Sequence, residues 1–513
     1  KETNLKNARK LRRENNLKES IENYNKYITD NSTDKKIKDI YLERASIFYI
    51  TKDYNSCYND ISQSLNIDKN FVKAYMLRGI LFTEVGDYQN GLNDFTSILN
   101  IDKKNHEAYF RRGNIFYLAG QYNDAVKDFL QGIKIKNNIS IYYLNTGLSF
   151  YKLKDYENSL KYFDSAIRHN KKDFYNYYNR GILYSTINFF NKSIDDFNKS
   201  IFLNNKFADA YYQRGLVYQN ISLYEQSLND FEYSIKLNPN NITYYKSKAT
   251  LNFNFGRYND AIMDFSKIIE LDKKDLDAYN NRGLSYYYSK EYNKAIDDFQ
   301  KTLEIDKNFL NGYNNRGLCY YSQNRFNEAL ADFNYVLSKD PNLTNTYYNR
   351  ANLFIKSKKI NDAIFDYNTV LKLNPNYIDG YLGRAYAYKL SGKYDLSIED
   401  YNKALKINPN LVFGYHERAK TYFYLEKENE IINDIKLFVE KANEYPEFYI
   451  TVGMYYYHFK KDDKKALEFI KLGFDNDKKG YLKEYILNDQ DIKKFLKGLI
   501  ESESFKNLIN NKN

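Results

Sequence analysis

LDAYNNRGLSYYYSKEYNKAIDDFQKTLEIDKNF at 276–309 runs straight into LNGYNNRGLCYYSQNRFNEALADFNYVLSKDPNL at 310–343. The two 34-residue blocks agree at Tyr279/Tyr313, Arg282/Arg316, Gly283/Gly317, Tyr286/Tyr320, Ala295/Ala329 and Phe299/Phe333. With the glycine set as position 8, a Gly or Ala returns there every 34 residues from Ala45 to Gly453, without insertion or deletion. A fixed period of this length is the mark of a stacked repeat architecture.

Positions 4, 8 and 11 have i, i+4, i+7 spacing, one face of a first helix, and positions 20, 24 and 27 mark one face of a second. Position 4 is Tyr in every unit from Tyr41 to Tyr449, and position 11 is aromatic except at Asn252. Small residues at 8 and 20 let the two helix backbones approach, and the aromatics at 4, 11 and 24 fill the space around that contact. Turn residues at position 15, such as Gly86, Gly120 and Asn324, tolerate the left-handed backbone that ends the first helix. Four of the five prolines, Pro239, Pro341, Pro375 and Pro409, fall at position 32, where a helix has stopped and the next is about to start.

The pattern aromatic-x3-Gly-x2-aromatic, Ala-x3-Phe, Pro resembles the tetratricopeptide-repeat (TPR) family. Tyr stands in place of Trp at position 4 throughout. The resemblance implies an all-α, right-handed superhelical solenoid of about fourteen antiparallel helix pairs with C-terminal capping helices. The expected organisation is a TPR-like repeat at 1–37, twelve in-register repeats at 38–445, a divergent last repeat at 446–480 and capping helices at 481–513. Ala8 and Ser20 take the small positions of the first unit, which puts about three extra residues in the 29–39 turn. In the last unit Gly453 pairs with Ala466, one residue late. Leu482, Tyr485 and Ile486 form one apolar stripe of the cap, and Ile492, Phe495, Leu496 and Leu499 another.

Position 7 is Arg in ten of the twelve units from 38 to 445, and position 23 is Asp in eleven. The exceptions move together: Thr146 goes with Tyr162, while Lys248 keeps a charge for Asp264. This covariation within one chain places Arg78 near Asp94, Arg112 near Asp128, Arg180 near Asp196, Arg282 near Asp298 and Arg316 near Asp332. A surface ladder of such pairs is worth ~0–1 kcal/mol per rung. The alternative reading of the arginines, an anion-binding stripe, is disfavoured because the sequence supplies their carboxylates.

In the TPR family, residues at positions 2, 5, 9, 12 and 13 of the first helix face a bound peptide. The resemblance therefore assigns a partner-binding groove to Tyr178, Ile182, Tyr212, Leu216, Asn280, Leu284, Tyr287, Asn314, Leu318, Tyr321 and Tyr348. Tyr and Asn suit such a wall, combining rigid aromatic area with adaptable hydrogen bonds. The same side chains also pack between adjacent first helices. The Lys/Asn clamp that some members use on a carboxyl terminus is absent, since Lys246 at position 5 is followed by Thr250 at position 9.

The formal net charge of +11 is spread over 513 residues with acidic and basic groups interleaved, so nucleic-acid binding is the weaker expectation. His106, His169, His416 and His458 fall at different repeat positions, and neither HExxH nor a phosphate-binding Gly-rich loop occurs. No enzyme activity, cofactor or metal is expected. Cys57 and Cys319 read as free buried thiols. No apolar run reaches the length of a transmembrane helix. The cytoplasm is the favoured compartment, with a removed targeting segment upstream of Lys1 left open. The function expected is a non-catalytic scaffold binding protein or peptide partners of unassigned identity. The alternative is a regulatory or targeting subunit of a larger complex.

Overall fold

Each 34-residue block folds as two helices, and the repeat at 276–309 shows why. Its first helix, Leu276–Tyr288, is started by Asp275, whose carboxylate accepts the Ala278 N–H. It ends with Lys290 in the left-handed region at φ 63°, while the Glu291 N–H reaches back to the Tyr286 carbonyl. The second helix, Tyr292–Ile305, then runs antiparallel to the first. A Cβ built on Gly283 would sit 2.7 Å from Cε1 of the fully buried Phe299. The absent side chain is thus what lets the aromatic ring lie against the first helix. In several units where position 20 is serine instead of alanine, its hydroxyl donates to the position 8 carbonyl, as Ser193 does to Gly181 at 2.7 Å and Ser227 to Gly215 at 2.8 Å, although Ser397 makes no such bond. That bond satisfies the buried hydroxyl without widening the contact.

The computed structural model describes residues 2–31 and 36–510. The extra residues of the 29–39 turn fall largely on 32–35, outside the described residues. From Glu2 to Asn476 the helices come as fourteen consecutive antiparallel pairs. A short 3-10 helix, Val439–Lys441, follows the second helix of the repeat at 412–445. Four short helices close the chain: Leu482–Asn488, Gln490–Phe495, Lys497–Glu501 and Glu503–Asn510. There is no strand among the described residues. The chain divides into two compact units, residues 1–251 and 252–513. Within each, successive pairs stack and bury their position 24 aromatics: Phe95, Phe129, Phe163, Phe197 and Phe231 in the first, Phe299, Phe333, Tyr367 and Tyr401 in the second.

The left-handed turn is more uniform than its sequence. All twelve position 15 residues from Lys52 to Glu426 have positive φ, including Lys154, Ser222, Lys290 and Lys358. Packing of the helix pair imposes the conformation, and a non-glycine residue there bears a cost of about 1 kcal/mol. Replacing the exposed Lys290 with glycine is accordingly expected to stabilise unit 252–513 by about 0.5–1 kcal/mol in urea unfolding. A loss of stability would contradict an imposed left-handed turn.

Candidate functional site

Ten Arg–Asp pairs bind sixteen residues apart, each by two parallel N–H···O bonds. Arg282 is representative: Nε and Nη2 donate to the Asp298 carboxylate at 2.8 and 2.6 Å. Its guanidinium lies 5.7 Å from the Tyr279 ring and 6.0 Å from the Tyr286 ring, the aromatics of positions 4 and 11. The third nitrogen, Nη1, donates to Ser266 of the preceding repeat at 3.0 Å. Arg78–Asp94, Arg112–Asp128, Arg180–Asp196 and Arg316–Asp332 repeat the two-bond geometry. The link to the preceding repeat recurs as Arg112 to Thr96 and Arg214 to Asn198, and Arg180 reaches Asp164.

The rungs are not surface pairs. Asp298 is 4% exposed, and its partner Arg282 is itself half-buried. The Arg282 value rises on its hydrogen bonds with Asp298. Burial lifts the Asp298 carboxyl above its ordinary value against the pull of the guanidinium. In the repeat at 140–173 the pair is replaced by rings: Phe150 stacks on Tyr162 at 5.5 Å, and Tyr143 on His169 at 4.5 Å.

The eleven assigned groove residues are all half-buried, and most are engaged between neighbouring first helices. Tyr178 packs edge-on to Phe207 at 4.9 Å, and the Tyr212 hydroxyl meets Ser247 Oγ at 3.0 Å. Asn280 accepts from Asn315 at 3.0 Å, and Asn314 from Asn349 at 3.3 Å. Leu216 joins the Phe231 cluster, Leu284 and Tyr287 the Phe299 cluster, and Leu318 and Tyr321 the Phe333 cluster. Tyr348 lies between Tyr367 and Tyr377, and Ile182 is partly covered on the helix Phe174–Thr186.

A cavity of about 610 Å³ lies elsewhere on the first helices, at the repeats starting at 378, 412 and 446. Leu382, Tyr386, Lys389 and Leu390 of the helix Ile378–Leu390 line it at positions 5, 9, 12 and 13. Phe413, Lys420 and Tyr424 line it at positions 2, 9 and 13 of the next repeat. The C-terminal helices form its other side. Lys389 Nζ donates to Asp491 at 2.9 Å and to Glu417 at 3.2 Å. Lys420 Nζ donates to Asp489 at 2.7 Å, and the Tyr424 hydroxyl to Asp491 at 2.7 Å. These helices are expected from their apolar stripes to cap the end of the repeat stack. They do pack on Phe423, Ile450 and Met454, but Asp491 also reaches back 102 residues along the first-helix wall.

This cluster is buried and charged. Burial works to raise the Glu417 carboxyl, but Lys389 and Lys420 outweigh it and hold it well below the ordinary range. Asp491 is likewise lowered, the two ammonium groups overcoming burial. Burial works to lower both lysines, but the surrounding carboxylates raise them, with Glu417 the largest contributor. Burial keeps His416 below its usual value, and its Nε2 meets Thr451 Oγ1 at 2.8 Å. His106 pairs with Tyr142, His169 with the Ser165 carbonyl and His458 with Glu426. No set of three or more His, Cys, Asp or Glu placed to hold a metal occurs among the described residues. Both thiols, Cys57 and Cys319, are buried and free, and burial pushes them up to about 12. No helix among the described residues is long and apolar enough to cross a membrane.

Two family models, both described as tetratricopeptide repeat, match the chain. One covers 276–309, 311–343, 344–377 and 378–411, and the other 106–139 and 208–241. No curated protein matches. Among solved structures, yeast Tom70 is 16% identical, covers 91% of this chain and 99% of its own, with a TM-score of 0.39. YrrB, a TPR protein with an unusual peptide-binding site, is 22% identical over 36% of this chain and 95% of its own, with a TM-score of 0.32. A tetratricopeptide-repeat protein from Parabacteroides merdae is 20% identical over 49% and 98%, with a TM-score of 0.34.

Two outcomes follow from the charges. Arg282→Ala strands Asp298 in a buried position and is expected to cost about 3–5 kcal/mol in urea unfolding. The double replacement Arg282→Met with Asp298→Leu should cost less, because no lone charge is left behind. The second outcome concerns pH. The depressed Glu417 and Asp491 contribute stability that is complete above the ordinary values of 4.5 and 3.8 and is lost as pH falls through their lowered values. The raised lysines contribute stability that is complete below 10.5 and is lost as pH rises through their folded values. The spectrum of a spin label on the exposed Ser504→Cys should therefore stay constant from about pH 5 to about pH 10 and gain a more mobile component in acid. Cys57 and Cys319, buried and neutral, do not compete for the label.

Proposed function

Because the chain is a tetratricopeptide-repeat protein, we propose that it is a non-catalytic scaffold that holds protein or peptide partners along the wall of its first helices. One observation carries this reading. The 610 Å³ cavity is lined at positions 2, 5, 9, 12 and 13 of successive repeats, the positions that TPR proteins turn toward bound peptides. The recurrence of one wall through many repeats suits an extended partner, since weak contacts sum along a long surface. The half-buried Tyr287 and Tyr321 belong to the same wall and offer rigid aromatic area.

Affinity capture from the source cells with the intact chain, followed by cross-linking and mass spectrometry, tests the reading. Enriched proteins should cross-link to first-helix residues, and Tyr287→Ala with Tyr321→Ala should lower capture about tenfold. The unfolding midpoint of that variant separates lost binding from lost folding. Capture of no protein above background, or cross-links confined to second helices, would refute it.

A further inference from the structure

Resting on the scaffold reading, we propose that the cavity on the 378–424 wall receives a cationic side chain, arginine or lysine, from an extended partner segment. The first ground is local charge. Four carboxylates line the cavity, Glu417, Glu447, Asp489 and Asp491, against two ammonium groups, Lys389 and Lys420. Neither lysine is available to an anion. Lys389 already holds Glu417 and Asp491, and Lys420 holds Asp489 at 2.7 Å with Asp491 3.2 Å away. An acidic ligand would have to displace these bonds and enter a site with a surplus of negative charge. A guanidinium or ammonium would offset that surplus.

The second ground is an unused hydroxyl. Tyr401 is 1% exposed and lines the cavity, yet its hydroxyl has no hydrogen-bond partner among the described residues. The same position one repeat earlier is Tyr367, whose hydroxyl donates to Asn352 at 2.6 Å. The residue equivalent to Asn352 is Tyr386, which leaves the Tyr401 oxygen facing the cavity. An entering N–H donor would give that oxygen a partner.

The third ground is the rim. Tyr386 and Phe413 remain about two-fifths exposed at the mouth. Their rings offer the faces that attract a cation. The chain already uses this contact nearby, with Lys389 Nζ 5.4 Å from the Tyr386 ring and Lys494 Nζ 4.1 Å from the Tyr424 ring. The net charge of +11 does not oppose it, because at physiological ionic strength charges beyond about 8 Å are screened and the local balance decides, four lining carboxylates against Lys389, Lys420 and the adjacent Lys494.

The test is saturation-transfer NMR of the full-length chain with three small probes: N-acetyl-arginine amide, its neutral isostere N-acetyl-citrulline amide, and N-acetyl-glutamate amide. The arginine probe should saturate, the citrulline probe should bind about fivefold more weakly or less, and the glutamate probe should not bind. Tyr386→Ala should weaken the arginine probe about three- to tenfold, and Tyr401→Phe about threefold with no loss of thermal stability. The proposal is overturned if citrulline matches arginine, if glutamate binds better (an acidic partner), if no probe binds, or if neither variant moves the arginine titration. Because the probes need no native partner, a failure here is distinct from a failed partner capture.

Discussion

A guanidinium lying between two aromatic rings, with two nitrogens on a buried carboxylate of its own repeat and a third on the repeat before, is the contact on which this architecture turns. A helix hairpin of 34 residues has too little interior to stand alone, so its stability resides in what joins it to its neighbours. The rings at positions 4 and 11 shield the arginine, the arginine covers the aspartate, and Nη1 carries the connection backwards. Lysine could neutralise the carboxylate, but it lacks the planar fork that serves two repeats at once.

The same contact limits where recognition can take place. Positions 7 and 23 are committed to the joint, and positions 8, 20 and 24 to the close approach of the paired helices. Among the first-helix positions left variable are 2, 5, 9, 12 and 13, and position 6 varies with them. In places a position 5 side chain of this wall is held by the position 6 side chain of the next repeat, as Asn280 is by Asn315 and Asn314 by Asn349. At 378–424 the larger residues Tyr386 and Phe413, with the returning C-terminal helices, leave a space instead of a seam.

The period, the helix pairs and the Arg–Asp partners were legible because each is written many times, and errors in single units average out. Features written once, or in several chemical spellings, were not. The acceptor at position 25 is Thr96, Asn198 or Ser266 in different repeats, so only geometry shows that one role is being filled. Lys154 and Lys290 give no hint of a left-handed backbone, which the helix pair forces on them. Asp489 and Asp491 sit in a non-repetitive tail, and nothing periodic links them to lysines 69 and 102 residues earlier. The groove residues that the resemblance implies lie in the repeats at 174–377, and the cavity lies in the repeats that follow.

The repeat at 140–173 is the exception that separates packing from charge. Thr146 and Tyr162 replace the ion pair, and the Thr146 hydroxyl turns inward to the Tyr142 carbonyl at 2.7 Å. Its rung is a pile of flat rings, Phe150 on Tyr162 and Tyr143 on His169. Protons find no carboxylate in that rung to neutralise, and dissolved ions find no fixed charge to screen. Within residues 1–251 it is a link made of stacked rings where its neighbours use a carboxylate and a guanidinium, so dissolved salt has no Arg–Asp bond there to weaken.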